Sequence, residues 1–306
     1  MFKPRPYAGA EDLQKLITFN AMAYGDGGKD GYLHVGDIPH RIYNGLRRYN
    51  LADLVHLHED ETGNLLAWSV IMPRYPAFDV QIHPHWRGSA VEEAILIWAI
   101  HHAQQQSRHE KALLEDELLS DVYPAGTARA ELLLKLGFYA QEKPFLVHAR
   151  RPLNQPIPDS KLPEGFIIRS AQGIDEAGKL AEVHAGAFGS SWTPEEYATL
   201  MRSPGYVVEH EMVVVAPDGR FAAFCIYWLD EVNKIALFEP VGTHPDFQRM
   251  GLGQALMYET MHRMQNAGMQ FAEVNYEFGN DVSNKFYKGV GFEPQYSIYS
   301  YNKPLE

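Results

Sequence analysis

Val241-Gly-Thr-His-Pro-Asp-Phe-Gln-Arg-Met-Gly-Leu-Gly-Gln-Ala-Leu256 is the stretch on which the reading of this chain turns. Just before it, Lys234-Ile-Ala-Leu-Phe-Glu-Pro240 has the apolar, β-favouring character of a strand. Just after the turn, Leu252, Leu256, Thr260 and Met264 recur at helical spacing, with Met257 beside them. Gly251 and Gly253 carry no Cβ, so the chain can bend sharply there and a ligand can approach the backbone closely. The first N–H groups of a helix have no partner within it, and the helix dipole adds partial positive charge. Strand, turn and helix together therefore suit a pyrophosphate. The G-x-G-x-x-G spacing of a Rossmann fingerprint is missing, and no G-K-[ST] follows as in a P-loop. A glycine turn that only packs a helix on a sheet fits the same residues, so the remainder of the chain has to decide.

The 306 residues are enough for two ordinary domains, and 45% hydrophobic with 22% charged residues is a globular composition. The single cysteine, Cys225, excludes a disulfide framework and fits a reducing compartment. Met1-Phe-Lys-Pro-Arg-Pro6 lacks the apolar core of a signal peptide, and no run approaches a membrane span. The expectation is a cytoplasmic protein without a membrane partner. A formal net charge of −12 argues against a nucleic-acid surface.

Taken in order, the chain runs one pattern of elements twice. A helix is expected over 7–24, then a glycine-rich polar stretch over 25–36 that reads as a mobile loop. A hairpin follows over 54–71, then a strand over 77–82 and a largely apolar helix over 91–105. The first pass closes with a strand over 112–119, a helix over 128–136 and a strand over 145–149. Pro152, Pro156, Pro158 and Pro163 then forbid regular structure, which places a linker at 151–163 between domains at 1–150 and 164–306. The second pass has a strand at 166–169, a helix at 174–188 and a helix start capped by Thr193 before Pro194. A hairpin over 212–228, the opening stretch, a strand at 271–276, a helix at 281–288 and a strand at 296–301 complete it. His83-Pro84 matches His244-Pro245, and Gly137-Phe138 matches Gly291-Phe292, fixing the register of the repeat. The expected fold class is α/β (α+β), a mixed sheet with flanking helices, present twice.

A strand ending in V-x-x-x-P, then Q-x-x-G-x-G opening a helix, is followed here by Asn280, Ser283, Tyr287, Gly291 and Phe292. This order resembles the GCN5-related N-acetyltransferase (GNAT) family, firmly over about 165–306 and through the repeat over 1–150. The doubling resembles tandem acetyltransferases of the mycothiol synthase type. The resemblance implies a mostly antiparallel, twisted sheet whose fourth and fifth strands splay apart to admit acetyl-CoA. It implies that Gln248, Arg249, Met250, Gly251, Leu252, Gly253 and Gln254 wrap the CoA pyrophosphate, with Val241, Gly242, Thr243, Asn280, Ser283 and Tyr287 along the rest of the cofactor. Val241, with Gly242 beside it, would offer a backbone N–H to the oxyanion. Tyr287 would protonate the leaving thiolate, for which a phenol with a pKa near 10 is suited. Glu239 is the candidate base on the amine; on a regular strand it shares a face with Val241, an alternation that Pro240 between them can distort. Rival readings are an aromatic packing residue for Tyr287, a solvated strand-edge carboxylate for Glu239 and a helix cap for Asn280. Tyr276, Glu277 and Glu273 are weaker candidates.

In the first copy Arg87, Ala90 and Glu92 stand where Gln248, Gly251 and Gly253 stand in the second, and Leu133 and Gly126 replace Tyr287 and Asn280. A carboxylate at Glu92 would repel phosphate, so this copy is expected to be a degenerate domain. The pairs His56/His58, His83/His85 and His101/His102 match no metal-ligand spacing, and no metal is expected. The expected function is acetyl-CoA-dependent transfer of an acetyl group to a primary amine of a small molecule or peptide. The alternative is an inert acyl-CoA-binding or assembly protein.

Overall fold

A computed structural model describes residues 2–27, 31–110, 113–123 and 127–305. In chain order the first elements are β1 (Lys3–Pro6), α1 (Ala10–Gly27), the single turn α2 (Asp37–Pro39), α3 (Leu51–Leu54), β2 (Val55–Glu59), β3 (Leu65–Met72) and β4 (Ala77–Ile82). Next come α4 (Ala90–Ser107), β5 (Glu117–Val122), α5 (Thr127–Lys135), β6 (Tyr139–Ala140) and β7 (Leu146–Pro152). The second series is β8 (Ile167–Ser170), α6 (Ala177–Phe188), α7 (Pro194–Met201), β9 (Glu211–Val215), β10 (Phe221–Asp230) and β11 (Ile235–Thr243). It ends with α8 (Leu252–Asn266), β12 (Phe271–Glu277), α9 (Asp281–Gly289) and β13 (Glu293–Pro304).

Contacts divide the chain into two compact units. The first holds Met1–His34, His40–His148 and Tyr296–Glu306, and its strands follow the order β1-β2-β3-β4-β5-β13. Neighbours are antiparallel except β4 and β5, which run parallel. The second holds Val35–Pro39 and Ala149–Gln295, in the order β7-β12-β11-β10-β9-β8, with β11 and β12 parallel. β10 is buried along nearly its whole length because α6 and α8 both pack against it, which explains its unbroken apolar run. α8 turns Leu252, Ala255, Leu256, Thr260 and Met264 inward at the spacing the sequence predicts. The start of α7 is a complete capping box: Thr193 accepts from the Glu196 N–H at 3.2 Å, and Glu196 accepts from the Thr193 N–H.

Three expectations are corrected. The division into 1–150 and 164–306 misplaces both final strands. Residues 149–152 of β7 lie in the second unit beside β12, and β13 pairs with β5 of the first over Tyr299–Pro304. Any strand with the right alternation satisfies the open edge of a fifth strand, and the sequence does not say which copy supplies it. The start of the expected linker is also fixed in the second unit. Arg151, 4% exposed, donates to the carbonyls of Val290 and Pro156, and the Leu153 N–H donates to Gln270 O at 2.8 Å. Second, the stretch expected as a mobile loop over 25–36 is not one where it is described. α1 runs through Gly27, residues 28–30 lie outside the described residues, and Tyr32, Leu33, Val35 and Gly36 are buried. Polar groups hold it: Tyr32 donates to Ile82 O at 2.9 Å and the Leu33 N–H to Gln81 Oε1 at 3.0 Å. Third, the strand expected over 112–119 begins at Glu117, past the acidic pair Glu115-Asp116, and runs to Val122.

Candidate active site

The site begins where two strands part. β11 pairs with β12 only from Ile235 against Phe271 to Leu237 against Glu273. Beyond that point β11 pairs with β10 and no longer with β12. Along β10 the register shifts between Cys225 and Tyr227, which oppose Val241 and Phe238. β11 therefore carries one extra residue, a bulge containing Glu239 and Pro240. This corrects the regular alternation expected across Glu239 and Val241. Phe238 and Val241, three apart in sequence, take positions that two-apart residues hold in an even strand. Trp228 closes over the bulge, its indole N–H donating to the Glu239 carbonyl at 2.8 Å.

Past the bulge the parity is fixed again by the His244 N–H, which donates to Ala222 O on the β10 side at 2.9 Å. Alternation then sends the Gly242 N–H toward β10, and the Val241 and Thr243 N–H groups toward the side that β12 has left. Gly242 is needed for packing. A Cβ there would lie 2.6 Å from Phe224 and 2.8 Å from Ala187 of α6.

After a turn at Pro245–Phe247 the chain reverses through Arg249, with φ of 63°, and Gly251, with φ of 77°. Gln248, Arg249, Met250 and Gly251 are exposed, and no side chain among the described residues caps α8. Among the described residues nothing accepts from the N–H groups of Arg249, Met250, Gly251, Leu252, Gly253 and Gln254. They form an open donor set at the positive end of a four-turn helix. Gly253 keeps this mouth clear, since a Cβ there would lie 3.3 Å from Thr243 Oγ1 and 3.4 Å from the Phe286 ring.

α9 supplies the second half. Its N-cap is Asn280, whose side chain accepts from the Ser283 N–H at 3.0 Å, so the cap reading of Asn280 holds. One turn further, Tyr287 stacks on Tyr276, centroids 5.3 Å apart, and meets Phe286 and Phe292 edge-on. Burial pushes its phenol pKa up, and the charge of Glu239 pushes it the same way. Among the described residues its hydroxyl makes no hydrogen bond. Tyr287 and Glu239 thus share one electrostatic environment, although different elements carry them. Glu273 is not available to chemistry: it is buried and accepts from Arg150 Nε at 2.8 Å. Cys225 is also inert, its buried thiol pushed up to about 12 and placed 3.3 Å from Thr260 Oγ1.

Residues 178–292 match the model of the Acetyltransferase (GNAT) family. Over that segment the chain is similar to the GNAT acetyltransferases. It is 25% identical over 232 residues to the mycothiol acetyltransferase of Saccharomonospora viridis, covering 69% of this chain and 74% of that protein. By fold, a GNAT from Sphaerobacter thermophilus superposes with a TM-score of 0.64 at 18% identity, covering 100% of this chain and 96% of the other. A tandem GNAT protein from the clavulanic acid biosynthesis pathway gives 0.66 at 15% identity, covering 100% and 99%. The architecture is that of tandem GNAT domains, and the proteins it resembles in sequence are named as acetyltransferases.

The first GNAT-like unit shows what closes such a site. Its turn has the same entry: the His85 N–H donates to His83 Nδ1 at 3.2 Å, as the Asp246 N–H does to His244 Nδ1 at 3.2 Å. Gly88 has φ of 70° where Arg249 has 63°. Then the two diverge. Ser89 caps α4, accepting from the N–H groups of Val91 and Glu92 at 3.2 and 3.4 Å. The Glu92 carboxylate accepts from the Gly88 N–H and from Arg129 Nε, both at 2.5 Å. Arg129, at the position of Ser283, also donates to the carbonyl of Val80, the counterpart of Val241, at 2.9 Å. Glu92 does more than repel an anion. Its carboxylate takes the Gly88 N–H, whose counterpart at Arg249 stays open among the described residues, and Arg129 lies beside β4. Leu133, at the Tyr287 position, is fully buried, and Gly126 lies outside the described residues. β4 pairs with β3 without a register shift, so the bulge is absent too.

Among the described residues no group of three or more His, Cys, Asp or Glu side chains is placed to hold a metal ion, and no helix is long and apolar enough to cross a membrane. Sequence reasoning overlooked Trp228 as part of the site and the segment Val35–Pro39 behind it. Nothing local in either stretch marks them, because their roles arise from approach in space.

Proposed function

We propose that the second unit catalyses acetyl transfer from acetyl-CoA to a primary amine of a small molecule or peptide. The observation that carries this reading is the open set of N–H groups from Arg249 to Gln254, at the end of a strand whose Val241 N–H faces the gap beside it. The turn would hold the pyrophosphate through those donors, with Arg249 adding charge at the rim. Asn280 and Ser283, at the start of α9, and Thr243, facing Gly253, would flank the pantetheine.

Val241 would donate its N–H to the thioester oxygen as the amine nitrogen bonds to the carbonyl carbon and negative charge gathers on that oxygen. Glu239 would take the proton the amine gives up, directly or through one water. As the C–S bond breaks, Tyr287 would give its proton to the thiolate, leaving CoA and an acetamide. A phenol whose pKa is raised by burial and by Glu239 stays protonated until that moment. Regaining its proton from Glu239 would return both groups to their starting state. The relatives named mycothiol acetyltransferase support acetyl as the transferred group.

CoA release in the presence of a panel of amines tests the proposal. Turnover with at least one amine, lost in Tyr287→Phe while acetyl-CoA still binds, is the expected result. Binding without release, whatever the amine, would make this an acyl-CoA-binding protein instead.

A further inference from the structure

We infer that Gly36, from the first half of the sequence, is a positioning residue for the bulged strand β11; its kinetic consequence rests on the acetyltransferase reading above. Val35–Pro39 packs with the second unit although the residues on both sides of it belong to the first. All five of its residues are buried. A five-residue excursion without an exposed position is a packed part of that unit, not a connection passing over it.

Gly36 lies against Trp228 more closely than any other residue type permits. A Cβ at position 36 would fall 2.2 Å from Trp228 Cβ and 2.3 Å from Cγ. Those atoms are the root of the side chain, so the indole cannot swing aside to make room. The far end of the same indole donates to the Glu239 carbonyl at 2.8 Å. Glu239 sits in the bulge, where β11 has already lost β12 on its other side. Glu239 precedes Val241 by two residues, so the carbonyl held by Trp228 sets both the Glu239 carboxylate and the Val241 N–H. The chain of causes runs from Gly36 to the indole, from the indole to the bulge, and from the bulge to the acetyl-transfer groups. The pyrophosphate turn at 248–254 is built from other contacts.

The test uses the full chain with Gly36→Ala, Trp228→Phe and the double variant. Trp228→Phe keeps a ring against Gly36 and removes only the donor to Glu239. Both single variants are expected to lower kcat/KM for the amine by about 10-fold or more while the acetyl-CoA Kd stays within about 2-fold, because misplacement of reacting groups costs rate steeply. The double variant should be no worse than the weaker single variant, since both act through one hydrogen bond. Hydrogen exchange of the Trp228 indole N–H, read by NMR, reports the contact without any turnover: slow in the wild type, faster in Gly36→Ala. An indole equally protected in Gly36→Ala, or amine kinetics unchanged in both single variants, overturns the inference. So does acetyl-CoA affinity that falls in step with turnover. If Gly36→Ala does not fold, Trp228→Phe carries the kinetic arm. A wild type that transfers acetyl to no amine removes the functional reading, and the exchange measurement still decides the contact.

Discussion

The turns at 87–92 and 248–253 enter alike and end differently. Each follows a histidine that caps a short turn, and each passes through a left-handed residue, Gly88 or Arg249. In the second unit the N–H groups that follow have no acceptor among the described residues. In the first, Ser89 and Glu92 accept from the equivalent groups, and Arg129 neutralises the carboxylate. Two turns with the same backbone entry therefore differ in what they leave open to a ligand. What matters is whether the protein's own side chains have already satisfied the donors.

The largest expected effect comes from making the second turn copy the first. Gly253→Glu should weaken acetyl-CoA binding by about 1,000-fold, because it places a Cβ against Thr243 and a negative charge at the phosphate donors. Calorimetry that finds near wild-type affinity would break the comparison outright. Tyr287→Phe comes next. Turnover should drop about 100-fold with the acetyl-CoA Kd nearly unchanged, as for loss of a general acid. Equal losses in both quantities would make Tyr287 a packing residue, as its counterpart Leu133 is.

Glu92→Gln sharpens the comparison from the other side. It leaves Arg129 half-buried without its counter-charge, and the chain should lose about 2 kcal/mol of stability in a urea titration. Stability unchanged by this variant would mean that the carboxylate is not holding the first turn closed. The smallest effect is a difference between the units in pH response. In the first, burial pushes His56 down to about 4 and His58 down to about 3. Both stay neutral when folded and protonate near 6.5 when unfolded, so their stabilisation is full above 6.5 and is lost as the pH falls toward 4. In the second, burial pushes Glu211 up to about 7 although Tyr197 and Tyr206 donate to it. Its folded value lies above the unfolded one, so its contribution is full below about 4.5 and fades as the pH rises through 7. Between pH 7 and 5, hydrogen exchange in β2 should therefore accelerate relative to β9. The same response in both strands would count against this assignment.

Most elements of both units were readable from period and punctuation. His83/His244 and Gly137/Gly291 fixed the repeat, and Thr193-Pro194 marked a helix start that the structure caps as expected. The contrast of Gly253 with Glu92 was also visible in sequence, though only as a repulsion. That Glu92 bonds the Gly88 N–H and that Arg129 reaches Val80 depends on side chains from separate elements meeting. The bulge at Glu239 was hinted at by Pro240 but not placed. One extra residue is defined only against the partner strand, here by the step from Cys225 to Tyr227.

By itself, then, the sequence determined the doubled mixed α/β pattern, the family resemblance, and which of two turns kept its glycines. Those are local properties: side-chain period, backbone freedom and residue type along a short stretch. Tertiary structure alone decided which unit each final strand completes, how the first turn closes on its own carboxylate, and that Gly36 lies against Trp228. Each of these depends on distances between residues far apart in the chain. Packing sets such distances, and the code of any one segment does not contain them.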